Sequence, residues 1–281
     1  TPGFPLPVNM RKIGLIAGNG RFPILFAEGA RANNLEIVAV GLKGETLSEL
    51  EEHVDKFHWV GIAQMGKLIN ILKKEGITNA VMAGGLTKTS VFSKFTSLNF
   101  IPDLRTVNLL FKIVKNRQDH SILGAIADEL SKDGIELQPS SLYVPELLVR
   151  KGTLTKRSPN AREQADIEFG WDIAKKIANM DIGQCVVIKE RVVMAVEAFE
   201  GTNDTIRRGG KLAGKGVVVV KLSKNGQDSR FDLPTIGLDT INVLKETGAS
   251  TLAIEADKTI VLDKEATIKA ADDKKIAIVA L

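Results

Sequence analysis

Short apolar segments that end at glycines and alternate with helical patterns are the feature that most constrains this fold. Pro23, just after one such glycine loop, suits the first turn of a helix. Strands that alternate with helices build a parallel sheet with crossover helices, so the first half predicts a Rossmann-like parallel sheet. Its predicted strands are residues 13–17, 36–41 and 80–83, and its predicted helices include residues 67–75 and 122–130.

The second half continues the alternation, but strands predominate. Asn160 with Glu163 three residues later is a capping-box pattern, which predicts the start of a helix. The fold class is therefore α/β with two domains, an N-terminal Rossmann-like parallel sheet and a C-terminal mixed α/β domain. The predicted strands of this half are residues 185–188, 192–196, 217–222, 251–254, 260–262 and 276–279, and the predicted helices are 235–247 and 264–271.

Proline-rich segments mark the predicted domain boundaries. Residues 1–9 hold three prolines ahead of Met10 and are expected to be a tag or a disordered tail. Residues 139–160 contain three more prolines and little periodicity, which predicts a linker. The two domains are then residues 10–138, the Rossmann-like domain, and residues 161–281, the C-terminal catalytic domain.

Composition excludes several classes of protein. The 281 residues carry 38 lysines and arginines against 34 aspartates and glutamates, and this net charge of +4 is too small and too evenly spread for a nucleic-acid partner. No apolar run approaches the roughly 20 residues of a membrane-spanning helix. The single cysteine, Cys185, fits a reducing compartment and is expected to be an inert core thiol. Without a signal peptide, the expected location is the cytoplasm.

A glycine loop, Gly18-Asn19-Gly20, follows the first predicted strand and precedes a helix. Backbone amides at such a turn bind phosphate, assisted by the helix dipole. Pro23 stands where a dinucleotide-binding fingerprint has its third glycine, and no acidic residue ends the second strand, so an NAD site is disfavoured. Two interpretations stay open, a tight structural turn and a site for an anionic ligand.

Carboxylates and arginines cluster in the sequence around residue 200. Glu197 and Glu200 bracket the end of a predicted strand, ahead of Asp204 and the pair Arg207-Arg208. Carboxylate oxygens bind hard cations and guanidinium groups bind phosphate oxygens, so the pattern suits a magnesium–phosphate site. The alternative is a solvated turn with surface arginines.

Asp232 lies at the entry to a predicted helix that Thr235 can cap. In one interpretation Asp232 binds magnesium or activates a water, while the start of the helix receives phosphate. In the other, the carboxylate only stabilises the helix dipole. Position alone leaves both interpretations open.

Four short motifs occur in the chain, GLIAGNGRFP at residues 14–23, DIGQ at 181–184, AVEAFEGT at 195–202 and DLPTIG at 232–237. Together and in this order, they resemble the UDP-2,3-diacylglucosamine pyrophosphatases of lipid A biosynthesis, of the LpxI type. The glycine loop alone is a weak signal, whereas four motifs in register are a specific one. The resemblance runs from Met10 to the C-terminus.

The resemblance implies a magnesium-dependent hydrolase of Gram-negative bacteria that is cytoplasmic and peripheral to the inner membrane. Its substrate would be a lipid-linked sugar nucleotide, UDP-2,3-diacylglucosamine, cleaved to UMP and 2,3-diacylglucosamine 1-phosphate (lipid X). The product would be held between the two domains. Asp232 matches the aspartate that the family needs for hydrolysis. Asn203 stands where the family has aspartate after Glu-Gly-Thr, which leaves open whether activity is weakened.

The residue patterns and the resemblance together predict a site. Its catalytic residues are Asp232, Glu200 and Arg207, and its cofactor Mg²⁺ is held by Asp232 and Asp204. The predicted substrate-binding residues are Gly18, Asn19, Gly20, Gly84, Gly85, Gln184, Thr202, Asn203, Arg208, Thr235 and Gly237.

Two other functions stay open, a nucleotide-dependent oxidoreductase and a non-catalytic lipid or sugar-nucleotide binding module. The sequence also leaves open the acyl chain length, the phosphorus atom attacked and the complete set of metal ligands. It does not fix the oligomeric state, for which a homodimer is one alternative.

Overall fold

The structure, a computed structural model, describes residues 11–86, 102–115, 122–180, 182–223, 230 and 233–281, with no side chains described at 112–115 and 122. Helices and strands are numbered in chain order over these residues. They fall into two compact units, and the chain passes from the first to the second between Pro145 and Glu146.

The first unit is built on a five-stranded parallel sheet with strand order β3-β2-β1-β4-β5. The order reverses direction between β1 and β4, as in other doubly wound sheets. The Rossmann-like prediction is therefore confirmed. The strands are β1 (Lys12–Ala17), β2 (Glu36–Leu42), β3 (Lys56–Val60), β4 (Asn79–Ala83) and β5 (Glu136–Leu137), and the helices are α1 (Phe22–Ala32), α2 (Met65–Lys74), α3 (Leu104–Lys115) and α4 (Ile122–Ser131). A short 3₁₀ helix spans Ser48–His53.

The second unit holds a mixed six-stranded sheet with strand order β6-β13-β11-β9-β7-β8. Strands β9, β11 and β13 are parallel to one another, while β6, β7 and β8 pair antiparallel. This confirms the mixed α/β prediction. The strands are β6 (Gly152–Thr153), β7 (Cys185–Lys189), β8 (Val192–Val196), β9 (Val218–Lys221), β11 (Thr251–Ile254) and β13 (Ala277–Ala280), with β10 (Thr235–Ile236) and β12 (Ile260–Val261) forming a separate pair. The helices are α5 (Ala161–Asn179), α6 (Thr202–Ala213), α7 (Leu238–Thr247) and α8 (Lys264–Asp273), and a 3₁₀ turn spans Pro145–Leu147.

The central strands of this second sheet are buried on both faces, which explains why they read as continuous runs of valine and isoleucine. On one face Val186 and Val220 pack in a cluster with Ile167 of α5. On the other face Val187 and Val219 pack in a cluster that includes residues of α6, α7 and α8. Side chains that alternate along β7 and β9 therefore enter two different cores.

The predicted capping box at the start of α5 is confirmed. The Asn160 side chain accepts from the amides of Arg162 and Glu163, and the Glu163 carboxylate accepts from the Asn160 amide at 2.8 Å. The helix predicted over residues 235–247 instead begins at Leu238, because Thr235 lies in β10 and Gly237 is the N-cap. The expectation that Thr235 caps the helix was wrong.

Helix α6 has no counterpart in the sequence prediction. Its interior contains the pair Gly209-Gly210, which is unfavourable in an isolated helix. The structure supplies the reason for both glycines. A Cβ on Gly209 would lie 2.6 Å from Cβ of Val187 on β7, and one on Gly210 would lie 2.5 Å from Cβ of Thr247 on α7. Close packing of α6 on its neighbours therefore overrides helix propensity.

This close approach makes Gly209→Ala a test of the packing. Alanine favours a helix, but the added methyl must displace Val187, and overpacking of this kind costs about 1–3 kcal/mol. We expect the variant to lose about that much free energy of unfolding in urea denaturation. Lys211→Ala, at an exposed position of the same helix, is the matched control and should change stability by less than about 0.5 kcal/mol. A Gly209→Ala protein as stable as that control would contradict the packing argument.

Candidate functional site

The glycine loops of the first unit meet where β1 and β4 end. The amide of Gly18 donates to the Ala83 carbonyl at 2.8 Å, and the amide of Asn19 donates to the Gly85 carbonyl at 2.8 Å. A Cβ on Gly18 would lie 2.3 Å from the Gly85 oxygen, and one on Gly84 would lie 2.4 Å from the Asn19 oxygen. The structure thus brings these predicted residues together, and their close contact requires glycine.

The same contacts change how this loop can bind an anion. The amides of Gly18 and Asn19 are used within the fold, so they are not donors to a ligand in this conformation. Gly20 has a φ of +80°, and a Cβ placed there meets nothing within 4 Å. The space beside Gly20 is therefore open. It lies where the strand order of the sheet reverses, which is where ligands commonly bind in doubly wound folds.

In the second unit, Glu197 lies at the end of β8 with its side chain buried. Its carboxylate accepts from the Gln184 amide and from the Thr202 hydroxyl, each at 3.3 Å. A Cβ on Gly183 would lie 2.0 Å from the Glu197 carbonyl oxygen, so this motif glycine lets the two segments touch. The structure therefore joins Gln184, Glu197 and Thr202 in one cluster at the start of α6.

Glu200 is bound by Arg208 rather than by Arg207. Arg208 forms an ion pair with the Glu200 carboxylate and donates to the Val196 carbonyl at 2.8 Å. The hydrogen bond from Arg208 is the largest cause that lowers the pKa of Glu200 below its ordinary value. Glu200 also accepts from the Thr205 hydroxyl at 3.3 Å. The guanidinium of Arg208 is thereby fixed beside the end of β8.

Asp204 and Arg207 lie elsewhere on α6. Arg207 pairs with Asp204 at 3.0 Å and with Glu246 of α7 at 3.2 Å, and all three side chains are exposed. Successive residues of a helix point about 100° apart, so Arg207 and Arg208 do not share a partner. The structure therefore separates Asp204 and Arg207 from Glu200 and Arg208. Asn203 lies partly buried in the first turn of this helix.

Asp232, the residue predicted to be both catalytic and a metal ligand, lies outside the described residues. The segment that follows it is described. Thr235 lies in β10, its hydroxyl donates to the Leu233 carbonyl at 3.1 Å, and Gly237 caps α7. This segment reaches the main sheet through Lys221, whose ammonium donates to the Thr235 carbonyl at 2.8 Å.

Lys221 is a residue that the sequence reasoning missed. It is the last residue of β9, it is 7% exposed, and it pairs in register with Cys185 of β7. Burial raises the pKa of the Cys185 thiol; the charge of Glu197 adds to this shift and the charge of Lys221 opposes it. Both charges therefore act on the same buried sulfur. The sequence analysis treated residues 217–222 as one apolar strand. The presence of Lys221 within that strand was the signal that could have revealed this residue.

The oxygen atoms at this edge of the sheet are of the type that Mg²⁺ prefers. The Gln184 side-chain oxygen is buried and has no hydrogen-bond partner within the described part of the chain. The main-chain amide of the same residue donates to the Glu197 carboxylate. An amide oxygen and a carboxylate are fitting ligands for this ion. Over the same described ranges, no three His, Cys, Asp or Glu side chains are grouped to hold a metal.

Among the helices of the described residues, none combines the length and the apolar composition needed to cross a bilayer.

Comparison with known proteins identifies two adjacent family domains. The LpxI N-terminal domain matches residues 12–147, and the LpxI C-terminal domain matches residues 150–279. The UDP-2,3-diacylglucosamine pyrophosphatase LpxI of Caulobacter vibrioides is 33% identical over 274 residues, which cover 94% of this chain and 95% of that protein.

Similarity to solved structures is much weaker. Rhizobium etli pyruvate carboxylase matches 64% of this chain and 15% of its own length, with 11% identity and a TM-score of 0.30. The biotin carboxylase subunit of a pyruvate carboxylase matches 73% of this chain and 42% of its own length, with 11% identity and a TM-score of 0.29. Similarities this low carry no argument about this protein.

The four sequence motifs, the two domain matches and the full-length relative agree with one another. The resemblance predicted from the motifs is confirmed, and the chain belongs to the LpxI family.

Proposed function

We propose that this protein hydrolyses the pyrophosphate bond of UDP-2,3-diacylglucosamine to UMP and lipid X. The observation that carries the proposal is identity of 33% along nearly the whole chain to a relative named for this substrate. The end of β8 supports it, because the fixed guanidinium of Arg208 and the buried carboxylate of Glu197 suit chemistry on a phosphoanhydride. Family membership favours this activity over an oxidoreductase or a binding module.

In the proposed reaction, three residues of the second half of the chain have separate roles. Arg208, held by Glu200 and the Val196 carbonyl, binds phosphate oxygens of the substrate. Asp232 supplies the carboxylate that hydrolysis needs. Lys221 fixes the carbonyl of Thr235, three residues after Asp232, and so positions the motif. Arg208 lies beside the end of β8, whereas the partners of Arg207 lie on α6 and α7, so we favour Arg208 over Arg207 as the phosphate-binding arginine.

Mg²⁺ is the proposed cofactor. When bound, it neutralises charge on the bridging phosphates and orients a water molecule. Asp232 is the first proposed ligand. As the second ligand we favour Glu197 over Asp204, because Asp204 is already ion-paired with Arg207. Glu197 also accepts from the main-chain amide of Gln184, whose side-chain oxygen has no hydrogen-bond partner within the described ranges.

We place the reaction in the cytoplasm at the face of the inner membrane, in peripheral contact with it. The proposed substrate carries two acyl chains and a nucleotide, so one end belongs in lipid and the other in water. The small surplus of positive charge favours approach to an anionic lipid surface.

Asp232→Ala tests the proposed activity. We expect the purified wild-type protein to release UMP from UDP-2,3-diacylglucosamine only with Mg²⁺. The variant should lose at least about a hundredfold in kcat, because the carboxylate acts at the reacting phosphate. Product analysis by chromatography measures both. Asp239→Ala, at an exposed position in the first turn of α7, is the control and should retain activity. Full turnover in Asp232→Ala would refute the catalytic assignment.

Lys221→Met tests the positioning role of the lysine. Methionine keeps the length of the buried side chain but removes the hydrogen bond to Thr235, so the motif is no longer held in place. We expect kcat to fall about tenfold or more with little change in KM, since small misplacements of catalytic groups cost rate. Lys221→Arg should recover part of the loss, and exposed Lys211→Met should be neutral. A selective rise in KM with unchanged kcat would instead indicate a binding role.

Gly20→Asn tests whether the loop after β1 contacts the nucleotide. Asparagine tolerates a positive φ better than most residues, and its Cβ meets nothing within 4 Å, so the variant should fold. If UDP-2,3-diacylglucosamine places its uridine or a phosphate there, the side chain will obstruct it and raise KM by about tenfold. An unchanged KM in a folded variant would contradict the placement.

A further inference from the structure

The loop after β2 places a buried carboxylate against the glycine loop that follows β1. Glu45 lies three residues past the end of β2 and is 8% exposed. Its carboxylate accepts from the side-chain amide of Asn19 at 3.3 Å. Burying a carboxylate is costly even when it is hydrogen-bonded, and buried ionisable groups concentrate at functional sites. Glu45 therefore needs an explanation, because the roles proposed so far do not use it.

Thr46, the next residue, accounts for how this loop is held in place. Its hydroxyl donates to the Ala17 carbonyl at the end of β1 at 2.6 Å and accepts from the Leu42 amide at 2.8 Å. The amides of Glu45 and Thr46 both donate to the Leu42 carbonyl at 3.0 Å. The Thr46 hydroxyl and main-chain groups thus join the ends of β1 and β2, so holding the loop does not explain the Glu45 carboxylate.

The position of Glu45 is close to the one at which doubly wound sheets recognise ribose. In such sheets a carboxylate after the second strand accepts from the ribose hydroxyls of a nucleotide whose phosphates lie at the glycine loop after the first strand. The sequence pattern places no acidic residue at the end of β2 itself, but the folded chain brings Glu45 to the glycine loop from three residues further on. The space beside Gly20 in that loop is open. The first sheet therefore has both parts of a ribose-phosphate site.

We propose that Glu45 binds the adjacent 2′- and 3′-hydroxyls of the uridine ribose, with Asn19 positioning the carboxylate. The choice of ligand rests on the proposed function, which supplies a uridine nucleotide. The two oxygens of a carboxylate can each accept from one of two neighbouring hydroxyls. Only the ribose of UDP-2,3-diacylglucosamine has hydroxyls on adjacent carbons, because acyl groups occupy positions 2 and 3 of the glucosamine. The pairing therefore selects the nucleotide end of the substrate.

Calorimetric titration of the full chain with UMP tests the proposal without hydrolysis. We expect wild type to bind UMP about tenfold more tightly than 2′-deoxy-UMP or 3′-deoxy-UMP, because each analogue lacks one hydroxyl and leaves the buried acceptor unpaired. Equal affinity for the three nucleotides, or binding of none of them, would overturn the proposal even if the protein hydrolyses UDP-2,3-diacylglucosamine. Selectivity for UMP in a protein that leaves this substrate intact would support the ribose site and refute the proposed hydrolysis.

Glu45→Gln assigns the selectivity to this side chain. Glutamine keeps the size of the buried group but replaces one acceptor oxygen by a donor. We expect the variant to bind UMP about tenfold more weakly than wild type, with an affinity close to that for the two deoxy analogues. Glu52→Gln, at an exposed position of the 3₁₀ helix Ser48–His53, removes the same charge and should bind like wild type. A Glu45→Gln protein that keeps its selectivity for UMP would show that Glu45 does not bind the ribose.

Nuclear magnetic resonance of the isotope-labelled wild-type protein keeps the test decisive if circular dichroism shows that Glu45→Gln does not fold. UMP should shift the side-chain amide signals of Asn19, which shares the carboxylate, and the main-chain amide signal of Gly20. At equal occupancy, 2′-deoxy-UMP should shift the Asn19 side-chain signals less. UMP binding that moves none of these signals would place the nucleotide elsewhere and contradict the proposal.

Discussion

The hydrogen bond from the Lys221 ammonium to the Thr235 carbonyl joins a central strand of the second sheet to the segment that carries the proposed chemistry. Burying an ammonium is costly unless it is hydrogen-bonded and balanced by opposite charge. Glu197 lies on the same edge, and the two charges act on the same buried thiol, Cys185. A charged residue kept at an inward strand position therefore has a structural purpose, to hold the motif after Asp232.

Three glycines, two of them in the family motifs, allow backbone segments to lie in close contact. Gly18 and Gly84 let the ends of β1 and β4 touch, and Gly183 lets the chain pass against the Glu197 carbonyl. In each case a methyl group would collide with main-chain atoms that have little room to move. The motifs that identify the family therefore specify the shape of the edges where β1 and β8 end as much as they supply reactive groups.

The sequence predicted many of the elements whose pattern is local, although it missed β3 and α3. Strands buried on both faces, such as β7 and β11, and the capping box at Asn160 follow from a few adjacent residues. Helix α6 was missed because its glycines argue against a helix. The reason for Gly209 is close packing against Val187 of β7, which the local sequence does not show.

The same limit applies to the candidate site. The sequence grouped Glu200 with both arginines, but helix geometry gives it only Arg208. Lys221 was missed because its partner, a main-chain oxygen, leaves no mark in the residue pattern. The role of Asp232 stays a prediction from its motif.

Phosphorus NMR of the reaction tests the central claim most directly. Purified full-length protein would be mixed with UDP-2,3-diacylglucosamine in detergent, first with a chelator and then with excess Mg²⁺. The account predicts that the pyrophosphate signals persist in the chelator and are replaced, after Mg²⁺ is added, by equal phosphomonoester signals of UMP and lipid X. Pyrophosphate signals that persist with Mg²⁺ present would contradict it.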